Sequence, residues 1–303
     1  MIFNLVMKNF KLFLLSIATL CLLGTISFGD SLENAFLTKT NKFIDTLTAN
    51  FVNLVRGNDR VQYLDLKVDV QESLKPTISM TNVNRISEKK NSAFFNQNSL
   101  SLHDNDQTIN FGLGYRSLIN DDKIMLGGNV FLDYSFDEQH QRQGAGVEAI
   151  SSAFDLRGNY YDATSGIQTL GDGSTEEALD GWDARLDYHL PVSNDVSIFA
   201  GLFEFENAAG TFELDGEKYG LSGRIDRLSF EAGYVDDNKT GDGSFANITY
   251  VFPLGANQRI KSNSTGSFME YVSVRDRLYD PVKRENKIRV VKISAANIVV
   301  SGF

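Results

Sequence analysis

Cysteine is all but missing from this chain of 303 residues, which has one, Cys21. A framework of disulfides is therefore excluded, and a secreted chain of this size needs another source of rigidity. Proline is scarce at 4 residues while glycine reaches 25, a balance that argues against a disordered or collagen-like polypeptide. Positive charge is in deficit, with 29 Lys and Arg against 39 Asp and Glu. An acidic chain offers no electrostatic footprint for nucleic acid, and that class of partner drops out. Long apolar runs are lacking too. Outside the N-terminus nothing approaches the roughly 18 residues of a spanning helix, which excludes a helical membrane protein. A β-barrel survives that test, because its apolar half alternates with a polar half.

What is present begins with Lys8 and Lys11, an apolar run over residues 12–23, and small residues at Ser27 and Gly29. This pattern reads as a secretory signal peptide over residues 1–29 that carries the chain across the inner membrane, with cleavage after Gly29. Cys21 falls inside it. A lipid-attachment reading of Cys21 is weak, since Leu20 stands where such sites want a small residue. Asp30 and Glu33 have capping-box spacing, and Leu32, Phe36, Phe43, Leu47, Phe51 and Leu54 recur at three, four or seven residues. Residues 30–58 are thus expected to form a periplasmic amphipathic helix, its apolar stripe a docking face rather than a cofactor box.

From Val61 the period changes to two. Ile124, Leu126, Gly128, Val130, Leu132 and Tyr134 alternate with Asn129, Asp133 and Ser135, and Trp182, Ala184, Leu186 and Tyr188 alternate with Asp183, Arg185, Asp187 and His189. A helix would smear this pattern within one turn. The alternation gives about twelve strands, near 61–70, 76–86, 93–103, 107–118, 123–136, 141–151, 153–162, 181–191, 195–206, 217–226, 227–236 and 244–254. In 195–206 apolar residues occupy both faces, so its faces stay unassigned. The expected fold is all-β, an antiparallel transmembrane β-barrel over residues 59–254. Full charges on strand after strand suit a wet lumen better than a sandwich, and aromatics gather near segment ends as interfacial girdles do. Loop lengths agree. One set of turns is short, while residues 163–180, 207–216 and 237–243 form long polar connections.

Residues 255–303 follow the last strand. Residues 255–266 read as loop, 267–278 as a short helix, and 282–293 as a basic extended run with Lys283, Arg284, Lys287, Arg289 and Lys292. The polar strand faces carry Asp133, Glu148, Asp155, Asp183, Asp187, Asp226 and Glu231. A cationic segment threaded through that acidic lumen would neutralise it. The expectation is a lumenal plug helix and linker ending at the outer surface.

Signals for catalysis are poor. Three histidines are present, and no nucleophile elbow, zinc motif or P-loop occurs. Asp187 and His189 share a strand face and would need a serine from another strand to imitate a hydrolase; a plain polar network is favoured. Acidic stretches at 171–177 and 236–242 lack EF-hand spacing and read as solvated loops. Phe94, Phe95 and Trp182 read as lipid-facing or girdle residues. No catalytic, cofactor-binding or metal-ligating residue is assigned, and no cofactor is expected.

Four segments carry a family resemblance: 110–116 (NFGLGYR), 126–134 (LGGNVFLDY), 142–148 (RQGAGVE) and 181–191 (GWDARLDYHLP), followed by 279–288 (YDPVKRENKI). In order and content they resemble the intimin/invasin translocators, the inverse autotransporters of type V secretion. The resemblance implies a twelve-stranded barrel in the outer membrane of a Gram-negative cell. It also implies a periplasmic N-terminus and a C-terminal segment passing up the pore to an adhesive passenger. This chain departs in three respects: the tail motif is followed only by residues to Phe303, no peptidoglycan-binding module separates leader and helix, and no Pro precedes Gly181. The expected function is therefore an outer-membrane anchor and translocator without a passenger in this chain. The expected partners are membrane lipid, the outer-membrane assembly machinery (which the aromatics Tyr250 and Phe252 would address) and a separate surface passenger or host receptor. The alternatives are a small porin and the barrel half of a two-component adhesin.

Overall fold

A computed structural model describes residues 58–72, 74–103, 106–137, 139–191, 196–239, 241–252, 254, 272–293 and 298–301. The expected signal peptide and N-terminal helix lie outside the described residues.

Twelve strands close into one antiparallel barrel. They are β1 (Val61–Gln71), β2 (Thr77–Lys89), β3 (Ser92–His103), β4 (Asp106–Ile119), β5 (Ile124–Ser135), β6 (Gln141–Ser151), β7 (Phe154–Ala163), β10 (Asp180–His189), β11 (Val196–Glu206), β12 (Glu213–Ile225), β13 (Leu228–Asp237) and β14 (Gly243–Val251). Each pairs with its neighbour in chain order, and β1 pairs with β14 to shut the cylinder. The strands are long enough to cross an apolar band of about 25 Å when tilted. A second sheet of four short strands has the order β16-β15-β9-β8, where β8 is Gln168–Thr169, β9 Thr175–Ala178, β15 Val290–Ile293 and β16 Ile298–Ser301. The long connection after β7, expected as a polar loop, thus holds a small hairpin that pairs with the tail.

Alternation fixes the two faces. Ile109, Phe111, Tyr115, Leu126, Val130, Leu132, Val147, Leu156, Leu186, Leu202 and Leu221 are all exposed on the outer wall. A belt of that size would not be tolerated against water; against lipid chains it costs nothing. Aromatics bound the belt. Tyr115, Phe154 and Tyr188 lie toward the ends with short turns, and Tyr134, Tyr160, Trp182 and Tyr234 toward the opposite ends, with Tyr219 and Tyr234 stacked at 6.3 Å. The short turns are residues 90–91, 120–123, 152–153, 190–195 and 226–227; the other end carries 164–179, 207–212 and 238–242. In one short turn Asn120, Asp121 and Asp122 all take positive φ, near 52°, 53° and 66°. Asn and Asp tolerate that region better than other side chains, which suits this Asn-Asp-Asp run.

The unassigned strand resolves here. In β11, Ile198 and Leu202 face out, while Phe199, Phe203 and Phe205 are buried inside. A rule emerges from the pairing: inward phenylalanines stand opposite glycines. Phe95 faces Gly114, Phe131 faces Gly112, Phe203 faces Gly216, Phe205 faces Gly181 and Phe245 faces Gly233. The ring lies over the bare backbone, and a Cβ on Gly114 would sit 2.3 Å from the Phe95 ring. Gly114→Ala is therefore expected to cost about 1–3 kcal/mol by overpacking. Gly171→Ala, with nothing within 4 Å, is expected to be silent in the same thermal unfolding assay.

Three expectations are corrected. Phe95 is not a lipid or girdle residue but is buried against Val83, Phe131 and Val282, because its glycine partner makes room for it inside. Asp226 does not line the interior; it occupies a turn at φ 54° and is exposed. Among the described residues there is no α-helix, and 272–278 of the expected short helix hold a single 3-10 turn, Arg275–Arg277. Arg275, Tyr279 and the arginines beyond are drawn to partners on different strands, which favours an extended path over a helical one.

Candidate functional site

The polar positions of successive strands converge on residues 272–293. At the short-turn end, the Val272 N–H donates to Ser152 Oγ (3.2 Å) and the Val274 N–H to the Asp122 carbonyl (2.8 Å). Arg275 forms a bidentate pair with the same Asp122, at 2.8 and 3.0 Å. Arg277 grips Asp155 at 2.8 and 2.5 Å, and Tyr279 donates to Glu88 at 2.7 Å. Arg116 of β4 is fully buried, paired with Glu148 at 2.5 Å, and its Nη1 donates to the carbonyls of Leu278 (3.0 Å) and Asp280 (2.6 Å). Its guanidinium also lies 4.9 Å from the Phe95 ring centroid, inside cation–π range.

Further along, the segment is read almost as another strand would be. The Val282 N–H donates to Gln97 Oε1 at 2.7 Å, and Gln97 Nε2 returns a bond to the Val282 carbonyl at 3.3 Å. Asn159 donates to the Lys283 carbonyl, Arg142 to that of Glu285 and Asn110 to that of Asn286, at 3.2, 2.7 and 2.8 Å. The Glu285 N–H donates to the Tyr161 hydroxyl at 2.7 Å, and that hydroxyl in turn donates to Asp183. Arg284 makes a two-point pair with Asp133 at 2.8 and 2.7 Å; Arg142 holds the same carboxylate at 2.9 Å. A buried extended backbone needs such partners, since unpaired amides there are costly.

At the long-loop end the segment becomes β15, antiparallel to β9, with Val290 opposite Ala178 and Ile293 opposite Thr175. The Leu179 N–H continues the ladder to the Arg289 carbonyl at 2.9 Å, and Lys292 reaches Asp172 at 2.9 Å. Hydrogen bonds from Ser174 and Lys292 hold the exposed Asp172 carboxyl well below the usual carboxylate range.

The expected acidic face needs one amendment. Asp133, Glu148, Asp155, Asp187 and Glu231 do face inward, but each is also paired with an arginine of the wall itself: Arg142, Arg116, Arg157, Arg157 with Arg185, and Arg185. Asp183 instead accepts from Tyr161 and Asn159. The tail's cations complete clusters that are already mixed in sign.

The Asp187–His189 pairing has a different outcome. Asp187 is held by Arg157 and Arg185, while His189 Nε2 lies 3.1 Å from Asp155 and Nδ1 2.7 Å from Ser197 Oγ, its direct neighbour on β11. A Ser–His–Asp row therefore exists, with Asp155 in place of Asp187. Its carboxylate is already neutralised by Arg157 and Arg277, and its hydroxyl is buried. The row is a polar seam beneath the tail, not a reaction centre. The acidic stretches also go to structure: Glu176 meets His140 at 3.1 Å and Glu177 receives the Ala208 N–H at 3.0 Å. Among the described residues no group of His, Cys, Asp and Glu is arranged to hold a metal ion.

Comparison with solved structures gives the fold. A chain determined in work on the in-meso crystallization of membrane proteins is similar at a TM-score of 0.64 and 20% identity, covering 77% of this chain and all of that one. An outer membrane channel from Pseudomonas putida F1 (TM-score 0.47, 10% identity, 64% of this chain and 98% of that one) and the KdgM porin (0.44, 10%, 63% and 99%) are more distant. Comparison with curated proteins gives no match. The family comparison is decisive: residues 33–286 match the inverse autotransporter β-domain, a span that takes in every barrel strand and the tail as far as Asn286. This outer-membrane β-barrel belongs to the inverse autotransporter β-domain family.

Proposed function

We propose that the barrel anchors its own C-terminal segment, which runs up the lumen from the periplasm and leaves at the cell surface, where it holds a passenger or surface partner. The observation that carries this reading is the order of contacts along the tail. Residues 272–280 meet the short turns at Asp122 and Ser152 and the adjoining end of β6 at Ser151, and residues 290–293 meet β9 in the longest loop. Short turns belong on the periplasmic side and long loops outside. β14 ends at Val251 beside Arg227, again at the short-turn end, so the chain leaves the wall and returns to the interior from the same side. The N-terminal segment would then lie in the periplasm, and Tyr250 and Phe252, packed edge to face at 5.2 Å, would present the assembly signal to the insertion machinery.

An epitope added after Phe303 tests the direction. On intact cells it is expected to bind antibody and to be removed by added protease. Protection until the outer membrane is breached would overturn the proposal.

A further inference from the structure

The hydrogen bonds and ion pairs that residues 272–288 make to the barrel all go to β2–β7, β10 and the turns between these strands. Among the described residues the opposite wall, β11–β14 and β1, receives none of them. The inward positions there include Lys67 and Asp69 of β1, Lys218 and Ser222 of β12, Glu231 of β13 and Thr249 of β14. Although they face the interior, Lys67 and Asp69 keep 36% and 38% of their side-chain surface open to water. Lys283, on the tail, keeps 46% and shares Glu231 with Lys67 as an electrostatic neighbour. Space for water therefore remains between the tail and this wall.

The charge of that space is not balanced. Glu231 is taken by Arg185, Asp69 by Lys67 and Glu285 by Arg289. Lys218, which lies over the Phe245 ring at 4.8 Å, and Lys287 each lack a carboxylate within ion-pair distance among the described residues; Glu285 and Asp69 attract both from farther off, and Arg289 opposes them. A chain with a net charge of −10 thus keeps two lysines without an ion-pair partner, among the described residues, on the inner side of its wall. Toward the long-loop end the wall and the tail share a buried apolar cluster, with Arg289 over the Phe203 and Phe205 rings. Phe203, Phe205, Phe212, Leu214, Val235 and Phe245 belong to one buried cluster with Val291 of the tail. Such constrictions block ions by refusing to wet, and lysine-lined walls concentrate anions below them.

We infer that this barrel holds a second, water-filled path beside the tail, a latent anion-selective channel shut at its long-loop end by the aromatic cluster. It does not depend on which membrane face the tail exits.

The full chain in planar phosphatidylethanolamine–phosphatidylglycerol bilayers tests this, with folding checked by the heat-dependent gel shift of closed barrels. The unaltered protein is expected to stay near background. Phe245→Ser with Val291→Ser is expected to open discrete steps that favour chloride several-fold over potassium in a salt gradient. Adding Lys218→Glu and Lys287→Glu is expected to move the preference to potassium. Steps already present in the unaltered protein, an ion-tight seal variant, or a selectivity that ignores the two lysines would each overturn the inference. Should the seal variant fail to fold, Lys218→Cys in the otherwise intact chain decides. Modification of its peptide by an anionic thiol reagent is expected at the rate of an exposed cysteine, and resistance would show that no water-filled path reaches it.

Discussion

Arg116→Ala is expected to be among the most damaging single changes in this barrel. It strips Glu148 of its buried counter-charge, the only one in contact among the described residues, and removes a donor from the carbonyls of Leu278 and Asp280. Breaking a buried pair in this way costs about 3–5 kcal/mol, because the surviving charge stays in place unpaired. The loss should appear as a lower unfolding midpoint in urea. It should also raise protease sensitivity between residues 272 and 288, since the guanidinium ties wall to tail. Arg116→Lys is not expected to rescue it: an ammonium cannot span the carboxylate and two carbonyls with a planar fork. An unfolding midpoint unchanged within error would mean that water replaces the guanidinium at no cost.

Asp133 is expected to rank beside it, with an asymmetry that distinguishes a shared anion from a simple pair. Arg142, Arg284 and Asn110 all donate to this one carboxylate. Asp133→Ala leaves two guanidiniums facing one another in the interior, at a cost of about 3–5 kcal/mol. Arg284→Ala leaves Asp133 still neutralised by Arg142 and should be much milder. The double variant should fall short of the sum by about 1–3 kcal/mol, the mark of residues in one network. Equal single-variant losses would show that Arg142 contributes nothing to holding the charge.

How far the chain could be read depends on what each signal needs. The strands were legible because lipid on one side and a polar interior on the other impose a period of two; β10 carries it without interruption, and β5 breaks it only at the inward Met125 and Phe131. The interior partners were legible by type, as a basic run near 282–293 and a row of acids. The pairings were not, since Arg284 and Asp133 are 151 residues apart and only register brings them together. β11 resisted because phenylalanine serves both faces: outside it meets lipid, inside it covers a glycine on the next strand. Opposed Phe and Gly, as at Phe203 and Gly216, are a usable sign once strand pairing is known, and invisible before it. The Ser197 contact of His189 was missed for the same reason. The β9–β15 pairing was hidden too, because four-residue strands in a polar loop leave no periodicity to find.

Closure by β1 and β14 has a kinetic consequence. Leu66 must find Tyr250, and Asp69 must find Asn247, across nearly the whole length of the cylinder's sequence. Contacts of such long separation form late, after most of the ordering entropy has been spent. Until the final strand arrives, each partly built sheet presents two raw edges and a greasy flank, the conditions under which chains clump. Synthesis stopped anywhere before Val251 should accordingly yield material that chaperones hold and proteases clear, with no shortened but serviceable cylinder among the products.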